Sequence, residues 1–161
     1  MVTSQRDHES LRNAAKSLDV FSTARVTVPL DQNGCLCTQS LNNWLSSTKQ
    51  NTSIKTDPTN ETTSNILLVT TLVCGQTGAI ENLSGIHEIL RKSVSRCTRH
   101  VDATQAVGKI PVSFAAINAT SLTFAPHKFG GPRGIECLLV QKTLNMRCSL
   151  QFPTFRNSWW Y

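Results

Sequence analysis

The chain has 161 residues, 39% of them hydrophobic, with sixteen Lys and Arg against ten Asp and Glu, for a formal charge of +6 at pH 7. That length suffices for one compact core. No apolar run nears the ~20 residues that span a bilayer, and the start MVTSQRDHES lacks the apolar stretch of a secretory signal, so a cytoplasmic chain is expected.

Residues 8–18, HESLRNAAKSL, set Leu11, Ala14, Ala15 and Leu18 at helical spacing and predict an amphipathic helix. ARVTVPL at 24–30 reads as a strand and DQNG at 31–34 as a turn. Leu41, Trp44 and Leu45 predict a short helix, and the polar segment 46–65 a loop. ILLVTTLV at 66–73 has the continuous aliphatic character of a strand buried on both faces. CGQTGAIEN follows as a loop, and Leu83, Ile86, Leu90 and Val94 restore helical spacing. HVDAT at 100–104 reads as a short strand, residues 112–117 as a weak helix, and SLTF at 121–124 and IECLLV at 135–140 as closing strands. Strands alternating with helices indicate an α/β fold, a mainly parallel sheet flanked by helices.

Charge and cysteine content narrow the chemistry. Residues 91–161 carry ten Lys and Arg against two Asp and Glu, which keeps a nucleic-acid-binding module in view. The densest cluster, RKSVSRCTR at 91–99, has no interleaved aromatic for base stacking, so a solvated basic face is the stronger reading. Cys35-x-Cys37 has no second Cys or His pair at zinc-ligand spacing, so no metal site is expected.

The stretch FAPHKFGGPRG at 124–134 places His127 and Lys128 after a buried strand, in a glycine-rich turn. In open parallel sheets, ligands gather at the carboxyl ends of strands. Asp102, the 74–78 loop and the pair His127–Lys128 each follow a predicted strand, so all three can meet at one edge. A lysine with a nearby carboxylate suits Schiff-base chemistry and the needs of pyridoxal phosphate. On spacing alone, a lone Asp and a lone Lys are more often surface charges.

The block HVDATQAVGKIPVSFAAINATSLTFAPHKFGGPRGIECLLV at 100–140 closely resembles the cofactor-binding core of cysteine desulfurases. These belong, with selenocysteine lyases, to the class V aminotransferase group of pyridoxal-phosphate enzymes. VTTLVCGQTGAIENLSGIHEILR at 69–91, RDHESL at 6–11 and VTVPLDQNG at 26–34 resemble earlier segments of the family, in family order. The resemblance implies part of the large domain of a type I fold over residues 1–141, followed by a non-matching aromatic tail at 142–161. It implies that Lys128 forms the imine and shuttles protons, and that Asp102 pairs with the pyridine nitrogen. Gln105 would donate to the ring hydroxyl oxygen, His8 would stack on the ring, and His127 would contact the phosphate. The implied cofactor is pyridoxal 5'-phosphate and the implied substrate cysteine or a related amino acid. A homodimer, or pairing with an intact homologue, and a sulfur-acceptor protein are the implied partners.

Four departures from the family bear on activity. Cys74-Gly75-Gln76-Thr77-Gly78 stands where the family has Asn-x-Glu-x-Gly, and Ala125 replaces a phosphate-binding Ser or Thr. The upstream phosphate loop has no counterpart here, nor does the segment bearing the sulfur-accepting cysteine and the substrate-gripping arginine. A truncated, inactive chain is therefore one expectation, and a non-catalytic partner subunit another.

Overall fold

The computed structural model describes residues 1–17, 25–51, 65–94 and 96–142. Six strands form one sheet: β1 (Val2–Ser4), β2 (Val26–Val28), β3 (Asn65–Thr71), β4 (Arg96–Asp102), β5 (Ser121–Phe124) and β6 (Cys137–Val140). Their order is β2-β1-β3-β4-β5-β6; the first five run parallel and β6 is antiparallel to β5. The helices are α1 (Glu9–Ser17), α2 (Thr38–Asn51), α3 (Leu83–Ser93) and α4 (Phe114–Ile117). The mainly parallel α/β sheet expected from the sequence is what the chain forms.

Strand β3 explains itself by burial. Ile66 and Leu68 belong to a core with Leu41 and Leu45 of α2 and Ile86 and Leu90 of α3. Val69 instead packs with Met1 and Ala15 of α1, so apolar residues are needed on both faces. A second core joins Val101, Leu122, Leu72, Leu83 and the small residues Ala103, Ala106 and Ala119 beneath the ends of β4 and β5. Helix α3 starts where the Asn82 side chain accepts the N–H of Gly85 at 3.1 Å.

Several elements differ from the expectation. The strand Val2–Ser4 has no counterpart in the sequence pattern; three residues carry no readable period, and their partner strands lie 22 or more positions away. Helix α2 extends to Asn51 and takes the first part of the predicted loop. There Ser46, Ser47 and Thr48 donate their hydroxyls to the carbonyls of Asn42 and Trp44 at 2.8–3.0 Å, so these polar residues serve the helix. Strand β4 begins at Arg96, and its full seven-residue ladder with β3 outweighs the polarity of its first half. The basic cluster 91–99 is thereby divided between the end of α3 and β4. Arg91 and Lys92 lie beside Glu88, whereas Arg99 donates to Asn118. Leu18, the remainder of the predicted loop and the tail beyond Lys142 lie outside the described residues.

Leu68 is fully buried at the centre of the larger core. Leu68→Ala should destabilise the chain by about 2–5 kcal/mol, read as a lower urea midpoint with an unchanged slope.

Candidate active site

The site is built on the register of the sheet. Thr71 pairs with Asp102, and Asp102 with Thr123, so three parallel strands end in one row. The loops that follow leave from the same edge and enclose a cavity of about 830 Å³. His8, Asp102, Gln105, His127 and Lys128 all line it, with Cys74, Gly75 and Gln76 from the loop after β3.

Asp102 is the last residue of β4, and its Oδ1 accepts the N–H of Thr104 at 2.8 Å. Residues 103–110 then coil tightly: the Ala103 carbonyl accepts the N–H groups of Ala106 and Val107, and the Ala106 carbonyl those of Lys109 and Ile110. This coil carries Gln105 into the cavity lining. Its Oε1 accepts from Lys109 Nζ at 2.6 Å, which leaves the amide N–H₂ as the outward donor. Gly75 lies close by, since a Cβ there would stand 3.4 Å from Gln105 Nε2.

Lys128 sits in a 3₁₀ turn, Pro126–Phe129, that begins as β5 ends. Proline suits its first position because that N–H has no partner within a helix. The glycine pair that follows has a steric reason: a Cβ on Gly131 would fall 2.6 Å from the Pro126 Cβ. Gly108 has a φ of +78°, and a Cβ there would meet the Phe129 Cβ at 2.5 Å. The coil bearing Gln105 and the turn bearing Lys128 thus touch through a glycine, and Phe129 completes the contact against Phe124, with ring centroids 6.1 Å apart. His127 and Lys128 are exposed.

His8 stands immediately before α1, where its Nδ1 lies 2.9 Å from Ser10 Oγ and accepts the Ser10 N–H at 3.3 Å. This local cap orients the ring, which the histidine-bearing helix start foreshadowed. The cavity wall also holds His100 and Asp7, which no reading of the sequence singles out, and Cys74 of the 74–78 loop expected at this edge. His100 lies on β4 two residues before Asp102, with Nδ1 2.8 Å from Ser121 Oγ and Nε2 3.3 Å from Thr123 Oγ1. Burial lowers its pKa, and the Asp102 charge only partly offsets that. Cys74 is buried, which raises its thiol pKa. The hydroxyl of Thr77 and the N–H groups of Gln76 and Thr77, with the Arg6 charge, outweigh burial and lower it overall. Asp7 also lines the cavity, and its carboxyl pKa is raised by burial despite hydrogen bonds from Ser4 and Thr71. His100 and Asp7 carry no sequence signal of their own, because they enter through strand register and long-range hydrogen bonds.

Residues 1–154 match the family model Aminotransferase class-V. The chain belongs to that family. Its members are in general pyridoxal-phosphate-dependent. Cysteine desulfurase IscS of Aeromonas hydrophila is 37% identical over 79 residues, 49% of this chain and 19% of that protein. Cysteine desulfurase IscS of Buchnera aphidicola (Acyrthosiphon pisum, strain 5A) is 29% identical over 147 residues, 91% of this chain and 32% of that protein. The chain therefore spans a third or less of the length of these relatives. Among solved structures, a NifS-like protein superposes over 88% of this chain and 35% of its own, with a TM-score of 0.71 at 22% identity. SspA in complex with cysteine covers 90% of this chain and 37% of its own, with a TM-score of 0.68 at 19% identity. These similarities show a type I fold. Among the described residues, no helix is long and apolar enough to cross a membrane.

His100 and His87 both have pKa values pushed below the ordinary imidazole value by burial, His87 further by Arg99. As pH falls, the unfolded chain takes up these protons first. Their contribution to stability is full above about pH 6.5 and is lost as pH drops through the lowered folded values. Thermal melts should show a lower Tm at pH 5.5 than at pH 7.5, and His100→Gln should shrink the difference.

Proposed function

We propose that this chain supplies the pyridoxal-phosphate-binding part of a cysteine desulfurase-like enzyme, with residues 1–141 as the cofactor-binding unit. The observation that carries the reading is the convergence of His8, Asp102, Gln105, His127 and Lys128 on one cavity at the carboxyl ends of the strands. The donor set fits the cofactor: an amine, a carboxylate, an amide with free N–H₂ and two imidazoles, in a space of about 830 Å³.

When bound, pyridoxal phosphate supplies an electron sink for chemistry at the substrate α-carbon. Lys128 would hold it through Nζ and afterwards move a proton at that carbon. Asp102, with one oxygen already turned to the Thr104 N–H, would keep the pyridine nitrogen protonated. Gln105 would donate its free N–H to the ring hydroxyl oxygen, and His8 would cover the ring face. His127 would reach the phosphate, a task in which the methyl of Ala125 gives no help. In this reading the substrate is cysteine, released as alanine after loss of its sulfur, and an acceptor protein is the sulfur's destination.

A second reading, a non-catalytic subunit that pairs with an intact homologue, is favoured by one feature. Edge strand β6 exposes the consecutive residues Leu138 and Leu139, one on each face, 53% and 40% accessible, and Ile135 just before the strand is exposed as well. Co-purification with a longer homologue would distinguish it from autonomous catalysis.

The primary test is the absorbance spectrum of the purified chain with pyridoxal phosphate, beside Lys128→Ala. The parent should develop a visible band that borohydride fixes to Lys128, and the variant should lack it. A folded parent with no such band sinks the proposal. Ala125→Ser offers a gain-of-affinity check. A charge-assisted hydrogen bond contributes about 1.5–3 kcal/mol, so the variant should bind pyridoxal phosphate at least about tenfold more tightly in a spectral titration.

A further inference from the structure

Arg6 and Asp7 precede His8, and both are buried where His8 is exposed. They send opposite charges to the two ends of one loop. Arg6 Nη2 donates to the Ala79 carbonyl at 2.6 Å; Nη1 donates to Glu81 Oε2 and to the Gly34 carbonyl, each at 3.1 Å. Glu81 also accepts the backbone N–H groups of Leu36 at 3.0 Å and Asn82 at 3.2 Å. Asp7 Oδ1 accepts both the N–H and the hydroxyl of Thr71 at 3.0 Å, and Oδ2 accepts the N–H of Ser4 at 2.6 Å. Between Thr71 and Ala79 runs the segment whose Cys74, Gly75 and Gln76 line the cavity.

We propose that Arg6 and Asp7 are positioning residues, a clamp that holds both ends of the 74–78 loop and thereby fixes that loop and His8 as one unit in the cavity wall. Its consequence for cofactor binding rests on the reading of the cavity given above; the clamp itself does not. Asp7 secures the strand that enters the loop, and Arg6 the backbone that leaves it. Because the two are adjacent, neither end can shift without moving the residue that carries the imidazole. Burial makes the arrangement selective. Each charge is buried among the donors and acceptors named, and Arg6 Nε already has no partner among the described residues, so a placement of the loop that breaks a further bond leaves a dehydrated charge shorter still of partners. The neighbouring backbone follows the same design, with the Asp7 N–H donating to the Ser4 carbonyl at 3.2 Å and the Arg12 N–H to the His8 carbonyl at 3.1 Å.

Amide hydrogen exchange on the chain without added cofactor tests the clamp. Asp7→Asn keeps the size but turns an N–H₂ towards groups that are themselves donors. Leu90→Ala, in the core beneath α3, lowers global stability without touching the clamp and serves as the comparison. At conditions matched for distance below Tm, exchange at Gln76–Gly78 should rise about tenfold or more in Asp7→Asn over Leu90→Ala, while the β4 amides Arg99–Val101 behave alike in both. The His8 ring resonances should shift in Asp7→Asn alone, and Asp7→Glu, which keeps the charge, should recover part of the protection. Equal exchange in the two variants, or a rise spread evenly over the sheet, would mean that Asp7 contributes only general stability and would overturn the proposal. Should Asp7→Asn not fold, Thr71→Val removes one donor at constant shape, and its loop exchange should still rise about threefold with β4 unchanged; no rise there overturns the proposal too. Pyridoxal-phosphate titration of the same proteins separates the two readings. A parent that fails to bind refutes the cofactor assignment and leaves the exchange result to judge the clamp.

Discussion

Three parallel strands that stop in register commit the chain to a single working edge. Thr71, Asp102 and Thr123 lie side by side, and the ladder carries one step further through the Leu72 N–H to the Asp102 carbonyl and the Ala103 N–H to the Thr123 carbonyl, both at 2.8 Å. Beyond that step the three strands no longer pair with one another, so each segment turns out of the sheet where its neighbours do. The small residues Ala103, Ala106 and Ala119 let the coil after β4 settle directly on the sheet end. Lys128 and Gln105 approach each other because Gly108 admits Phe129 at a distance that any side chain would block. The site is a consequence of register first and of glycine placement second.

Buried charge sets the remaining wall. The Arg6–Glu81 pair is almost wholly inaccessible, at 0% and 1% of side-chain surface. Such pairs recover their desolvation cost only when the remaining hydrogen-bonding capacity is met, so they are poor evidence of added stability and better evidence of a specified geometry. Here both Arg6 Nη groups and both Glu81 oxygens are met by backbone groups at Gly34, Leu36, Ala79 and Asn82, whereas the buried Arg6 Nε has no hydrogen-bond partner among the described residues. Hydrophobic burial holds the sheet and helices together, backbone hydrogen bonds shape the turns after β4 and β5, and buried charge is added at the two ends of the loop after β3.

That division accounts for what the sequence discloses. Helices α1 and α3 and strand β3 are legible because their apolar spacing reports directly on the faces they bury. Strand β1 is not, since Val2–Ser4 is a strand only by virtue of β2 and β3 on either side. The second half of helix α2 is not legible because Ser and Thr weigh against helix in propensity, while here their hydroxyls find carbonyls one turn back. Within the site, Asp102, Gln105, His127, Lys128 and His8 stand out through local motifs and the family resemblance they carry. Thr71, His100 and Thr123 acquire their positions from register across strands more than twenty residues apart, and Arg6 and Asp7 from partners up to 75 residues away. No local window contains that information.

The cavity is unevenly equipped, and the unevenness has a physical reading. Asp102, Gln105 and Lys128 are each held by a turn with its own hydrogen bonds, and two of those turns interlock at Gly108. On the opposite account, Ala125 offers a methyl, His127 is exposed, and Gly75 offers no side chain at all. Gln105 already packs against the backbone at Gly75, so a polar group lost from that loop is in part replaced by one from the coil after β4. For a ligand with an aromatic, aldehyde-bearing end and an anionic end, the rigid donors serve the first and few of them serve the second. Affinity would then depend on the lysine and the ring partners, with further anion-binding groups needed to match the tight retention of a phosphate.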